Sequence, residues 1–353
     1  MYKVLAINPG STSTKISVAH DNELLFVEDI KHSKEDLKHF EKVSDQYEFR
    51  KQHILQELEK RGIPLDFDAT VGRGGLAKAV PSGVFRVSEE MIEDQKQAVH
   101  QHACDLGCML AYEIAELIPN CQSFIADPGV VDEMAPEAHV SGLPEAPRIC
   151  IWHALNQKAI ARRYARDINS EYDKLNLIIC HLGGGISIAA HEKGKAIDAN
   201  NALDGEGPFS PERSGTLPLS ELVHLCYNTD LTEEEMLRKL SARSGVLAHL
   251  GTNDMRIVEQ RINEGDEHAK AILDAMVWHI AKAIVSEGAV LCGKVDAILL
   301  TGGLCYSEYI VGLLKKRIEF LAPVKVYPGQ DEMLALTENA VAALSGQQEI
   351  KEY

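Results

Sequence analysis

Two stretches of the chain share one pattern of apolar and polar positions. Residues 4–19 read V-L-A-I-N-P-G-S-T-S-T-K-I-S-V-A, and residues 177–189 read L-I-I-C-H-L-G-G-G-I-S-I-A. Each is an apolar run, a polar glycine-bearing turn, and a run that alternates apolar with small residues. That alternation has the period of a strand, so each stretch predicts a β-hairpin. Each also continues into a further turn, Asp21-Asn22 in the first and Glu192-Lys193-Gly194 in the second, followed by another apolar stretch. Val4 and Leu177 lie 173 residues apart, about half of the 353-residue chain. The spacing therefore predicts a duplicated domain rather than a short solenoid repeat.

Helical periodicity fills the intervals. Ser88 precedes Glu89 and Glu90, a capping serine with acids suited to a helix N-terminus. Leu106, Leu110, Ile114, Leu117 and Ile118 then recur at helical spacing. Thr232 and Glu235 form a capping box ahead of Met236 and Leu237. Residues 266–288 carry a long stripe that includes Ala269, Leu273, Met276, Ile280 and Ile284. Ile298-Leu299-Leu300 predicts a buried strand, with a helix near 307–321 and a last helix near 333–344. The mixture predicts an α/β fold. The expected division is a first domain over 1–148, a second over 149–332, and a C-terminal segment, 333–353, that packs back on the first. Gly142–Pro147 supplies the turn residues for the crossing.

Charge narrows the function. Lys plus Arg is 36 and Asp plus Glu is 53, a net charge of −17. A chain so acidic repels phosphate backbones, so neither nucleic acid nor an anionic membrane is the expected partner. The N-terminal apolar run breaks at Pro9-Gly10, too short for a signal peptide, and no stretch approaches a membrane span. The eight scattered cysteines mostly sit in apolar runs, which points to reduced thiols and a cytoplasmic location. Cys104 and Cys108 have no second close pair to complete a zinc site.

Three glycine-bearing turns carry candidate chemistry. Asn8-Pro9-Gly10-Ser11-Thr12-Ser13-Thr14-Lys15 is dense in hydroxyls and backbone N–H groups, a composition that holds phosphate oxygens. It is not a P-loop, because the spacing differs and a strand follows. His181-Leu182-Gly183-Gly184-Gly185 lets backbone approach a ligand with no Cβ between. Thr301-Gly302-Gly303 ends a strand ahead of a helix N-terminus, a familiar nucleotide contact. Charged residues recur in small-residue contexts: Arg73 before Gly74-Gly75, Arg213 before Ser214-Gly215, and Asp254 with Arg256. Asp127 and Trp152-His153 each follow a strand-like run. Together they suit phosphoryl transfer: arginines for equatorial oxygens, acids for Mg²⁺, and a hydrogen-bonding histidine.

In this order, across residues 4–332, these motifs resemble the acetate and butyrate kinase family of acyl-phosphate kinases. That family belongs to the superfamily of sugar kinases, heat-shock ATPases and actin. The resemblance implies two duplicated ribonuclease-H-like domains with an interdomain nucleotide cleft, ATP/ADP and Mg²⁺ as cofactors, and a homodimer or higher homo-oligomer. It implies Asn8 at the metal, with Asp331 or Glu332 as the acidic contact, and Ser11, Ser13 and Lys15 on phosphates. Arg73 would bind the substrate carboxylate. His153 and Arg213 would stabilise the phosphoryl group in flight, and Asp127 would organise metal and attacking oxygen. His181, Gly183, Gly184, Gly185, Asp254, Arg256, Gly302 and Gly303 would hold ATP. His102 is a possible match to a histidine near the family's substrate pocket. Gly184 in place of Asn, the shorter chain, and Arg73 running directly into Gly74-Gly75 resemble the butyrate branch. The two glycines are expected to remove bulk beside the carboxylate site.

The implied reaction is reversible phosphorylation of a short-chain carboxylate by ATP to give an acyl phosphate and ADP. A carboxylate is ionised at neutral pH, since such acids titrate near about 4 to 5, so no general base is needed. Catalysis must instead bring two anions together, which calls for positive charge and in-line positioning. Two alternatives stay open: the same chemistry on acetate, propionate or a branched acid, and an ATPase switch of the actin or heat-shock kind.

Overall fold

The computed structural model describes every residue except 41 and 99–102, and only the backbone of Lys34. His102 therefore lies outside the described residues. The chain divides into two compact units. One comprises Met1–Asp132, Ala154–Ala159 and Asp331–Tyr353, and the other Glu133–His153 and Ile160–Gln330.

The first unit is built on a seven-stranded sheet. Strands β1 (Lys3–Pro9), β2 (Ser13–His20) and β3 (Glu23–Lys31) form an antiparallel meander. β4 (Ala69–Arg73) pairs parallel to β1 on its other edge. β6 (Gln122–Ala126) pairs parallel to β4, and β5 (Val84–Arg86) runs antiparallel to β6. The chain's last strand, β12 (Ile350–Lys351), closes the edge beside β5.

The second unit repeats the plan with five strands. β7 (Asn176–Leu182), β8 (Ile186–Glu192) and β9 (Lys195–Ala199) form the meander, and β10 (Ala297–Gly302) then β11 (Val324–Pro328) add in parallel. The duplication extends to a defect. The second hairpin of each meander shifts register just after the residue opposite Leu5 in one unit and Ile178 in the other. Those two residues keep the 173-residue offset seen in the sequence. A bulge at the same place in both copies bends both meanders alike. Both units thus carry the ribonuclease-H-like topology.

Strand parity decides what faces where. In β1, Leu5 and Ile7 enter the core formed with Ile54 and Leu58 of the helix Tyr47–Lys60 and with the helix Leu106–Ala115. Val4 and Ala6 face the other way, onto Leu336 and Ala340 of the terminal helix Glu332–Leu344. Full burial of a Leu such as Leu336 contributes about 1.5–3 kcal/mol to docking that helix on the sheet. In the second unit, Ile178, Cys180 and Leu182 pack on the long helix Glu267–Val290. The opposite face of β7 takes Ile160 and Tyr164 of the helix Ala154–Asp167.

The expected caps are present. Ser88 Oγ accepts from the Met91 N–H at 3.2 Å, and Thr232 and Glu235 satisfy each other's backbone N–H groups. The periodic stretch after Ser88 departs from the expectation. It forms two helices, Glu89–Gln97 and Leu106–Ala115, and leaves Leu117 exposed. A Cβ on Gly72 of β4 would overlap the Gly107 carbonyl, so the second helix approaches the strand backbone to backbone. Gly142–Pro147 is a largely exposed loop within the second unit.

Candidate active site

In the first unit, sheet parity collects the site on the face of the terminal helix. Asn8 is paired with Lys15 across the β1–β2 ladder, and cross-strand partners share a face. Ser13 lies on that face too, as does Arg73 at the end of β4, in step with Ala69 and Val71. Asn8 Nδ2 donates to Glu332 Oε2 at 2.6 Å, and Arg73 Nη1 donates to the same oxygen at 3.3 Å. Of the two candidate acids, Glu332 is the one that meets Asn8 and Arg73. Its side chain is buried in the first turn of a helix, where the dipole favours a carboxylate. Burial is the largest influence on Arg73 and opposes its charge, but the Glu332 carboxylate and Cys104 together outweigh it and raise the guanidinium's pKa. Asn8 and Glu332 together offer hard oxygen donors. One or two such ligands plus phosphate and water suit Mg²⁺.

Asp127 follows β6 with φ of 39°, a left-handed conformation that aspartate tolerates better than most residues. Its Oδ1 accepts from Ser82 Oγ at 2.6 Å and from the Gly83 N–H at 2.9 Å. The carboxylate is thereby oriented and buried. Ser82 had no recognisable signal in the sequence.

Gly74 and Gly75 require a correction. They do not open space beside Arg73. A Cβ on Gly74 would lie 2.6 Å from Pro128 Cβ, and one on Gly75 would lie 2.7 Å from Asp105 Cα. The room is already filled. Buried Asp105 also accepts from the Leu76 N–H at 2.8 Å, so these glycines serve close packing that orders the loop after Arg73.

In the second unit the triple glycine closes the β7–β8 hairpin, with the Gly183 N–H donating to the Gly185 carbonyl at 3.1 Å. Arg213 lies directly over it. A Cβ on Gly185 would sit 2.6 Å from Arg213 Cζ. Arg213 Nη1 donates to the Ala202 carbonyl, and Ser210 Oγ accepts from the Arg213 N–H at 3.1 Å while donating to the Gly184 carbonyl. Arg213, Ser210, Asn200 and Asn201 line a small open recess.

His153 precedes the helix Ala154–Asp167 and stacks on His181, ring centroids 3.8 Å apart and planes 11° from parallel. Its Nδ1 lies 2.8 Å from Ser187 Oγ, the residue paired with His181 across the hairpin. Gln330 Nε2 lies 3.2 Å from His181 Nε2. Gly302 has φ of 97°, and a Cβ there would sit 2.7 Å from the Leu182 carbonyl carbon, so glycine is required beside β7. Gly303 opens a 3₁₀ turn, and the helix Glu308–Ile318 starts after it with its own cap, Ser307. The helix expected near 307–321 is thus present and is reached through that turn. The Gly303 side that a Cβ would occupy is open.

Asp254 and Arg256 are bound to each other. Asp254 caps the helix Met255–Asn263, and Arg256 Nη2 donates to its Oδ2 at 2.6 Å. Hydrogen bonds from Arg256 hold the Asp254 carboxyl down to about 2. The Arg256 side chain is 92% exposed. Their loop reaches the glycine turn through Asn253, which donates to Glu212 Oε2 at 3.1 Å. Glu212 Oε1 in turn would lie 3.0 Å from a Cβ on Gly184.

Two hairpin turns of one design, each followed by its own set of cations and acids, match a known family. Residues 117–330 fit the model of the acetokinase family. The chain belongs to that family. It is 57% identical over 351 residues to a "Probable butyrate kinase" of Bacteroides thetaiotaomicron, covering 99% of each chain. It is 48% identical to "Butyrate kinase 2" of Clostridium acetobutylicum over 354 residues, 100% of this chain and 99% of the other. Among solved structures, Porphyromonas gingivalis acetate kinase matches with a TM-score of 0.80 at 20% identity, covering 98% of this chain and 100% of that one. A propionate kinase from Francisella tularensis gives 0.75 at 20% identity over 96% and 99%. These two show that this chain shares their fold.

Within the acetokinase frame, sequence reasoning missed Ser187, Glu212, Gln330 and Arg50. Ser187 was visible as a polar residue among the apolar positions that open the second strand. The others gave no local signal, because their partners are distant in sequence.

Proposed function

We propose that the protein catalyses butanoate + ATP = butanoyl phosphate + ADP by direct in-line phosphoryl transfer. The observation that carries this reading is the shared carboxylate of Glu332 between Asn8 and Arg73, a metal-type oxygen set beside a partly buried guanidinium. The curated relatives named butyrate kinase, at 48–57% identity over nearly the full chain, support the choice of acid.

In this reading Arg73 holds the substrate carboxylate by a charge-assisted, fork-shaped contact. Mg²⁺ at Asn8 and Glu332 would neutralise charge on the transferring phosphate. Ser11, Ser13 and Lys15 take phosphate oxygens. His153 and Arg213 stabilise the equatorial oxygens as charge redistributes, and Asp127 orients the attacking oxygen. Gly183, Gly184, Gly185, His181, Gly302 and Gly303 support the nucleotide, with Asp254 and Arg256 at its edge. The first domain over 1–148 with 333–353 and the second over 149–332 remain our proposed functional division. Excluding water as substrates bind would protect an acyl phosphate from hydrolysis.

A cytoplasmic location fits eight free cysteines. Among the described residues no helix is long and apolar enough to cross a membrane. A homodimer or higher homo-oligomer fits the helix Leu219–Tyr227, whose Leu219 and Tyr227 are more than three-quarters exposed. Light scattering would measure the assembly.

The decisive test traps acyl phosphate with hydroxylamine over acids of two to six carbons, with ATP and Mg²⁺. A maximum at butanoate is expected. A maximum at acetate would keep the chemistry and reject the acid. No hydroxamate with any acid, despite ATP binding, would reject the kinase reading.

A further inference from the structure

Among the described residues, Arg50 is a full cation buried without a counter-ion. It sits on the helix Tyr47–Lys60, and only 1% of its surface is exposed. Nη1 donates to the carbonyls of Gly10 at 2.8 Å and Ser13 at 2.9 Å and to Thr14 Oγ1 at 3.1 Å. Nη2 donates to the Ser11 carbonyl at 3.3 Å and to Gln46 Oε1 at 2.8 Å. Every one of these acceptors is neutral. Among the described residues no carboxylate lies within ion-pair distance of it. Burial lowers its pKa to about 10, which still leaves it charged at neutral pH. Taking an ion out of water costs several kcal/mol, so a neutral side chain would fill this place at lower cost unless the charge is used.

The turn itself shows the use. The Thr12 carbonyl is taken by the His32 N–H at 2.9 Å, so with Arg50 all four carbonyls from Gly10 to Ser13 are occupied. The N–H groups of Ser11 and Thr12 have no protein acceptor among the described residues. The acceptors of the turn are taken while two of its donors are not. Strand parity puts Arg50 and Thr14 on the face opposite Asn8, Ser13 and Lys15. A cation against a turn whose donors lack protein acceptors makes a cradle for an anion.

We propose that Arg50 is a positioning residue for the phosphate held by turn 10–14. It acts through the backbone, fixing the carbonyls away from the ligand and supplying positive charge that no carboxylate among the described residues neutralises. This rests on the kinase reading and deepens it.

The test compares Arg50→Met, Arg50→Lys and Gln46→Met with the parent. Readouts are the hydroxamate assay, nucleotide KM, acid KM, and the thermal shift produced by ADP with Mg²⁺. Arg50→Met is expected to raise nucleotide KM at least about tenfold, to lower kcat, and to shrink the ADP-induced shift, with acid KM changed less than about threefold. Arg50→Lys retains charge but not the fork, so an intermediate effect is expected. If Arg50→Met does not fold, Arg50→Lys and Gln46→Met carry the test, with a rise in nucleotide KM of at least about threefold expected. Variants that only melt earlier, with parental kcat, nucleotide KM and ADP shift, would overturn the proposal. A parent that makes no acyl phosphate would instead reject the kinase reading, which separates the two failures.

Discussion

Gly185→Ala should disable the enzyme through Arg213 without unfolding it. The added Cβ would lie 2.6 Å from Arg213 Cζ, whereas carbon atoms in contact rest about 3.5–4.0 Å apart. Something must move by about 1 Å, and what meets the methyl is the far end of a flexible side chain. Arg213 should yield, giving up its bond to the Ala202 carbonyl, while the hairpin stays in place. The lost hydrogen bond costs about 1 kcal/mol, a fall in Tm of a few degrees. If Arg213 stabilises the transferring phosphoryl group, a displacement of about 1 Å lowers kcat by about 100-fold, equivalent to about 2.7 kcal/mol of barrier. Arg213→Ala should lose about 100-fold or more and sets the limit. The assay is hydroxamate formation at saturating ATP and acid, with circular dichroism melts on the same samples. A folded Gly185→Ala protein with kcat within about threefold of the parent would refute the placement of Arg213 in the transition state.

Three further outcomes are expected. Glu332→Gln should lower kcat about 10- to 100-fold and raise the Mg²⁺ concentration needed for half-maximal rate; an unchanged Mg²⁺ titration would remove Glu332 from the metal site. Gly75→Ala should destabilise the protein by about 1–3 kcal/mol, because its Cβ meets the Asp105 backbone, without moving the preferred acid; a shift in chain-length preference would contradict the packing account. Burial, then the nearby Asp198, pushes the Glu287 carboxyl up to about 8, with Arg148 opposing and Glu206 adding to the rise. The native state therefore holds this proton more tightly than the unfolded chain, and its stabilising effect is lost as pH rises from about 4.5 toward about 8. Glu287→Gln should gain in Tm relative to the parent between pH 5 and pH 8.5; a constant difference would show that the carboxyl titrates normally.

The sequence by itself determined the repeat, the two hairpins and the polar turns that close them. Those features are local: period-two patterning selects strands, and glycine with hydroxyl residues selects turns whatever surrounds them. It also determined which side chains were candidates, since Asn8, Arg73, Asp127, His153 and Arg213 each stand beside a strand end or a glycine. Tertiary structure alone decided how they combine. Glu332 rather than Asp331 meets Asn8 because the terminal helix docks on the face of β1 that carries Val4 and Ala6. Gly74 and Gly75 look like open space in a string of letters, yet Pro128 and Asp105, distant in sequence, fill it. Arg50 reads as one more polar position on an amphipathic helix until the fold sets it against the carbonyls of the β1–β2 turn. Patterning reports which face of an element is buried. Which distant group meets that face depends on docking, and only the folded chain contains that information.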